Sequence, residues 1–223
     1  MADDLEAPGW DAARIAHGFA APGLPVAAGF HLVRVHQVHG AVCIAADEHT
    51  PSPAGDADAL VTARAGVAVA IATADCVPLL LAAPGAGAVA AVHAGWRGSV
   101  AAIAAVGLRE LVERGARAAD VHAALGPAID GCCYEIERAI AERFANELGG
   151  EVWAAWREGD RAGKGYLDLR RVNALVLERA GVPAASIQRV GPCTFCGGGP
   201  FASFRRDAER AGRQLSWIAL RAA

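Results

Sequence analysis

The chain has 223 residues, 54% of them hydrophobic, enough apolar material for one sizeable core near the upper size of an ordinary domain. Its 21 basic and 24 acidic residues are spread along the sequence and leave a formal net charge of -3, which argues against a basic face for nucleic acid or anionic membrane. The start, MADDLEAPGW, lacks the basic and apolar regions of a secretory signal, so a cytoplasmic protein is expected. Apolar runs such as 67–84 are broken by Asp75 and Pro78 and fall short of the roughly 20 residues a membrane helix needs. Six cysteines in such a chain read as thiols, ligands or nucleophiles, not as a disulfide framework.

Residues 1–16 are expected to be loosely ordered, and the Pro- and Gly-containing start extends through Pro25. The segment FHLVRVHQV alternates apolar and polar residues as a half-buried strand does, delivering His39 to its end beside Gly40, and VCIAA resumes strand character. A polar loop, DEHTPSPAGDAD, precedes three apolar runs read as central strands: ALVTA, VAVAIAT and VPLLLAAP. AVAAVHAGWRG reads as a strand ending at His93, with Gly95 and Gly98 permitting a sharp turn. Ser99 is the expected N-cap of a helix running from Val100 to Gly115. A strand is expected at VHAALGPAI, helices at EIERAIAERFANEL and DLRRVNALVLERAG, and strands at SIQRV and QLSWIAL. With no repeat or linker, this predicts a single catalytic domain over 1–223 of α/β or α+β class.

His39, Cys76 and His93 each end an apolar run next to small or turn-forming residues. Imidazole nitrogen and thiolate sulfur suit zinc, and three protein ligands leave a fourth position for water or substrate. On residue type and spacing alone, however, ordinary buried Cys and His outweigh a metal triad.

The blocks QVHG (37–40), TADCVPLLL (73–81), AVHAGWRG (91–98), LGPAIDGCCYEI (125–136), SFRRD and GRQLSWIAL resemble the YfiH-like family long labelled multicopper polyphenol oxidase or laccase. The resemblance runs from about residue 17 to the C-terminus, in the family's order. It implies a zinc site formed by His39, Cys76 and His93, and phosphorolysis of adenosine, inosine and methylthioadenosine, with adenosine deamination as a second activity. Nucleoside and phosphate are then the small-molecule partners. It also implies a layered sandwich, with a central mixed sheet and flanking helices, similar to the toxin-deamidase-like fold. Multicopper oxidation is not expected, because seven histidines without a His-x-His pair are too few for several copper ions. One adventitious copper at the same ligands is compatible with the residues.

A zinc ion would activate water or polarise a substrate atom, and phosphorolysis further needs a cationic phosphate cradle. Arg97 is the leading candidate, with the amides of Gly98 and Ser99 beside it; a surface arginine paired with a carboxylate is the alternative. Ser203, Arg205 and Arg206 form a second polar cluster, in a loop that either reaches the site or is solvated. Asp75 either orients a ligand or caps a turn. Tyr134 is a candidate hydroxyl, whereas Glu135 reads as a helix start. Cys193-x-x-Cys196 is formally a C-x-x-C that Cys132–Cys133 could complete into a second cluster, suggesting a structural zinc; with no matching second C-x-x-C in the chain, free thiols are expected instead.

Two other readings compete. A Cys/His amide hydrolase would use Cys76 as nucleophile and His93 or His39 as base, in keeping with the family's link to peptidoglycan editing of muramyl-peptide precursors. A non-catalytic metal-binding regulator would bind metal without turnover.

Overall fold

The computed structural model describes residues 5–24 and 28–222; Pro25 lies outside them. The first half of the chain forms β1 (Ile15–Ala20), β2 (His31–Val33), β3 (Cys43–Ala45), β4 (Ala59–Thr62), β5 (Val67–Thr73), β6 (Val77–Ala83) and β7 (Ala88–Ala94). Two helices follow, α1 (Trp96–Val100) and α2 (Ile103–Glu113), then β8 (His122–Leu125), β9 (Glu135–Glu137) and α3 (Arg138–Leu148). The remainder contains β10 (Trp156–Glu158), β11 (Lys164–Leu167), α4 (Leu169–Arg179), β12 (Ile187–Arg189), α5 (Phe204–Asp207) and β13 (Gln214–Leu220).

The strands assemble into a six-stranded sheet of order β12-β8-β6-β7-β4-β3, a four-stranded sheet of order β1-β13-β5-β2, and a small sheet of order β10-β11-β9. The large sheet is antiparallel from β8 to β4, with parallel pairs at both edges. Strand β6, VPLLLAA, is buried throughout because both of its faces are covered. Leu79 and Leu81 point into a core shared with Ile103, Leu108 and Leu111 of α2, while Leu80 and Ala82 face Phe19, Val69, Ile71 and Ile218 of the four-stranded sheet. Period-two alternation therefore joins three layers: helices, large sheet, second sheet. Truncating a core leucine such as Leu80 to alanine is expected to cost about 2–5 kcal/mol.

The α/β layered sandwich with mixed sheets agrees with the expected fold class. Several local expectations need correction. The strand leading to His39 stops at Val33, and His39 comes six residues later in irregular backbone. Ser99 is no N-cap: it is buried inside α1, its Oγ accepts from Asn173 Nδ2 at 2.9 Å, and the helix is interrupted before α2 at Ala102, whose φ is 55°. Glu135 lies in β9, not at a helix start, because α3 begins only at Arg138. Gly95 adopts an ordinary φ of -71°, so its role is not conformational. No described helix is long and apolar enough to cross a membrane.

From Leu5 onward the start is tied down rather than loose. Leu5 bridges Phe19, Ala7 is buried, and the Ala7 N–H donates to Nε2 of His17 at 2.9 Å. Only the neutral imidazole can accept that bond. Burial lowers the pKa of His17 below its ordinary 6.5, against the opposing charge of Glu6. A group with a depressed folded pKa binds protons more readily when unfolded, so the stability from neutral His17 is complete above 6.5 and is lost as pH falls below it. The melting temperature is therefore expected to fall between about pH 7.5 and about 5.5, and to fall less in His17→Gln, whose amide oxygen still accepts. Equal calorimetric slopes for the two proteins would remove His17 as the cause.

Candidate metal centre and its cavity

The three predicted ligands come from different parts of the fold. His93 is in β7, Cys76 precedes β6, and β6 and β7 are antiparallel neighbours in register, with Val77 opposite Ala94. His39 arrives from the loop between β2 and β3 with a left-handed φ of 60°. One potential ligand atom from each residue lies within 4.8 Å of the others, and the His39 and His93 rings meet edge to face at 4.9 Å.

Asp58, just before β4, holds this arrangement. Its Oδ1 accepts from the backbone N–H of His39 at 2.9 Å and from Nδ1 of His93 at 2.7 Å. Its Oδ2 accepts from the N–H of Gly40 at 2.6 Å and of Val38 at 3.2 Å. One carboxylate thus fixes the strained backbone of one histidine and the ring of the other, so that Nε2 of His93 becomes a lone-pair donor once its proton is displaced by a metal. Burial works to raise the Asp58 pKa, but these donors outweigh it and hold the carboxyl below the usual range. Burial also pushes the Cys76 thiol up, and hydrogen bonds with His39 and His93 bring it down to about 7; for His93, burial favours the neutral ring, but Asp58 and Cys76 raise it to about 9.

The glycines of HAGWRG matter for space. A Cβ on Gly95 would lie 2.8 Å from Cδ2 of His39 and 3.2 Å from Sγ of Cys76, and one on Gly98 would lie 2.9 Å from the carbonyl oxygen of Gly40. Without side chains, Gly95 at the start of α1 packs against His39 and Cys76, and Gly98 within α1 packs against the backbone beside His39.

His39, Cys76 and His93 all line a cavity of about 480 Å³, together with Gln37, Thr73, Asp75, Ile129, Tyr134, Phe204, Arg205 and Arg213. That size and mixed polarity suit a small-molecule site. Gln37 is clamped to the backbone of Ala72, donating to its carbonyl at 2.8 Å and accepting from its N–H at 2.7 Å. The hydroxyl of Thr73 is buried and has no hydrogen-bond partner. Burial raises the Tyr134 phenol to about 12, so it remains a proton donor.

Residues 19–221 match the family model described as multi-copper polyphenol oxidoreductase laccase. The chain belongs to this family. It is 41% identical to the purine nucleoside phosphorylase of Deinococcus radiodurans over 201 residues, covering 88% of this chain and 74% of that protein. It is 38% identical over 167 residues to adenosine deaminase RL5 from an unknown prokaryotic organism, covering 72% of this chain and 61% of RL5. The crystal structure of YlmD from Geobacillus stearothermophilus aligns with a TM-score of 0.85 at 30% identity, over 100% of this chain and 98% of YlmD. Bacillus licheniformis YfiH gives a TM-score of 0.80 at 30% identity, over 85% and 74% of the two chains. The family's description speaks of several coppers, but only two groups of three or more candidate ligands occur among the described residues: the His/Cys triad and a set of four cysteines.

The remaining candidates divide sharply. Arg205 and Tyr134 reach the cavity, and the Arg205 guanidinium lies 5.4 Å from the Tyr134 ring centroid. Arg97 is exposed, stacks at 4.5 Å on Trp96 and does not line the cavity. Ser203 is buried and caps α5 by accepting from the N–H of Arg206 at 3.2 Å, while Arg206 itself is engaged by Asp207, Thr194 and Phe201. Asp75, at φ 82°, orients no metal ligand; its carboxylate accepts from the Thr194 hydroxyl and the Arg205 N–H, each at 2.6 Å. Glu135 pairs with Arg161. The outer carboxylate is thus Asp58, which sequence reasoning missed, as it missed Gln37, Thr73 and Arg213. Asp58 sits in a loop with several aspartates, and nothing in the local pattern distinguishes it.

Asp58→Asn, although it removes no candidate ligand, is expected to weaken metal binding by about 10–100-fold in a chelator competition assay. Gly95→Ala should weaken it too, by crowding His39 and Cys76. Wild-type affinity in both would show that neither residue shapes the centre.

Proposed function

We propose that this chain is a zinc-dependent purine nucleoside phosphorylase in which a single catalytic domain over 1–223 converts adenosine, inosine or methylthioadenosine and phosphate to the base and the ribose 1-phosphate species, with adenosine deamination as a second activity. The observation that carries this reading is the convergence of His39, Cys76 and His93 on the wall of a cavity that also holds Tyr134 and Arg205. The names of the relatives, nucleoside phosphorylases and one adenosine deaminase, support it.

Two imidazoles and one thiolate suit zinc, and the open side of the triad is the cavity. Zinc bound by these three residues supplies Lewis acidity toward a substrate atom. Asp58 keeps His93 oriented through Nδ1. Arg205 and Arg213 bring positive charge to the cavity for phosphate, in place of Arg97, and Asp75 fixes Arg205 through its backbone N–H. Ile129 and Phe204 offer apolar surface to a purine, and the unpartnered Thr73 hydroxyl offers it a hydrogen bond. In phosphorolysis a phosphate oxygen bonds to the anomeric carbon as the carbon–nitrogen bond breaks. The departing base takes a proton, which we assign to the Tyr134 hydroxyl, re-protonated from solvent.

A second reading rests on a specific geometry: Sγ of Cys76 lies within 4.8 Å of a ring nitrogen of His93, and His93 bonds to Asp58, the order of a nucleophile, base and orienting acid. Metal dependence separates the two. Purified protein should convert adenosine to adenine and ribose 1-phosphate only with phosphate present, and His93→Ala should lose at least about a hundredfold in rate, the several kcal/mol expected of a catalytic metal. Turnover of muramyl peptides that survives chelation, with adenosine untouched, would instead establish the thiol hydrolase. Arg205→Ala is expected to raise the KM for phosphate more than that for nucleoside; an unchanged phosphate KM would move the anion site elsewhere.

A further inference from the structure

Four of the five cysteines outside the His/Cys triad, expected from the sequence to be free thiols, meet in space. Sγ atoms of Cys132, Cys133, Cys193 and Cys196 all lie within 4.8 Å of one another, although the two pairs are about sixty residues apart in the chain. The Cys132 and Cys196 sulfurs are 3.5 Å apart, and none of the four is in a disulfide. A zinc ion with sulfur ligands at about 2.3 Å sets tetrahedral sulfur–sulfur edges of about 3.8 Å, so the cluster already has the size of a closed four-thiolate site.

The backbone around it is built as two turns facing each other. Cys132 and Cys133 sit in a turn in which the N–H groups of Cys133 and Tyr134 both donate to the Asp130 carbonyl at 2.8 Å. In the other, the Gly197 N–H donates to the Cys193 carbonyl at 2.9 Å, and a Cβ on Gly197 would lie 2.5 Å from that oxygen, so only glycine fits the fold of the loop. The Asp130 N–H points at Sγ of Cys193 at 3.4 Å, the sort of donor that stabilises a thiolate.

We propose that Cys132, Cys133, Cys193 and Cys196 form a second, structural zinc site that staples these two turns together. The four thiols give up protons to the solvent as zinc binds, and no electron changes hands. The turns carry parts of the cavity wall: Tyr134 follows Cys133 directly, and Thr194 follows Cys193 and holds Asp75. The site therefore has all four positions filled by protein and acts on the cavity through position, unlike the three-ligand centre, and its existence does not depend on which reaction that centre performs.

The test counts metal in the full-length protein, purified under reducing conditions from zinc-supplemented cells. Mass spectrometry of the metal should give two zinc ions per chain for the wild type, one for His39→Ala/His93→Ala and one for Cys132→Ser/Cys196→Ser. Cobalt added to the metal-free His39→Ala/His93→Ala protein should give the intense visible absorption of tetrahedral cobalt thiolate, a signature that an intact cysteine cluster alone supplies. That protein keeps all four cysteines, so it decides the matter even where the serine variant fails to fold. If it binds neither zinc nor cobalt, and the four thiols react freely with a thiol reagent or lose hydrogens to disulfides in the intact mass, the proposal is wrong.

Discussion

The carboxylate of Asp58 has no exposure to solvent, yet four N–H groups surround it: three from the backbone of residues 38–40 and one from the ring of His93. Burying such a charge costs several kcal/mol, and each hydrogen bond to it returns about 1.5–3 kcal/mol. The arrangement does more than satisfy the ion. It holds His39 in a left-handed conformation that costs a non-glycine residue about 1–2 kcal/mol, and it orients the His93 ring through Nδ1. The placement of both histidines of the candidate metal centre depends on this one group.

The layers supply the rigid frame around it. Antiparallel pairing of β6 with β7 places Cys76 and His93 at the same end of the large sheet, and the second sheet closes over its other face through Leu80, Ala82, Val89 and Ala91. On the helix side, glycine makes the contacts possible: Gly95 beside the ligands, and Gly107, where a Cβ would lie 2.6 Å from Val92 Cγ2. A second buried ion pair anchors the far side of the cavity. Arg170, 2% exposed, donates to both oxygens of Asp130 at 2.8 and 2.6 Å and to the carbonyl oxygens of Gly126, Val190 and Gly191. It thereby ties the segment leading to Tyr134 to the segment leading to the cysteine loop.

Strands β4 to β7 and β13 were legible in the sequence because each is predominantly apolar, and α4 because its apolar residues recur at helical spacing; in the fold Asp168 caps α4 by accepting from the Arg171 N–H at 3.0 Å. Strands β10 and β11 were not, since each is short and half polar, and their pairing is with each other and β9. The same difference governs the site. His39, Cys76 and His93 were recognisable through the family blocks in which they stand, and Tyr134 and Arg205 as polar residues within such blocks. Ser99 and Ser203 looked equally available but spend their hydroxyls on Asn173 and on the cap of α5.

The sequence by itself determined the family, the class of fold and the identity of three candidate ligands, because these depend on residue type and local order along the chain. Only the tertiary structure decided that Asp58 rather than Asp75 is their carboxylate, that Arg205 and Arg213 rather than Arg97 reach the cavity, and that two distant cysteine pairs share one point in space. Hydrogen-bond reach and sulfur–sulfur distance are properties of how β-strands and turns are brought together across the chain, and no local spacing encodes them.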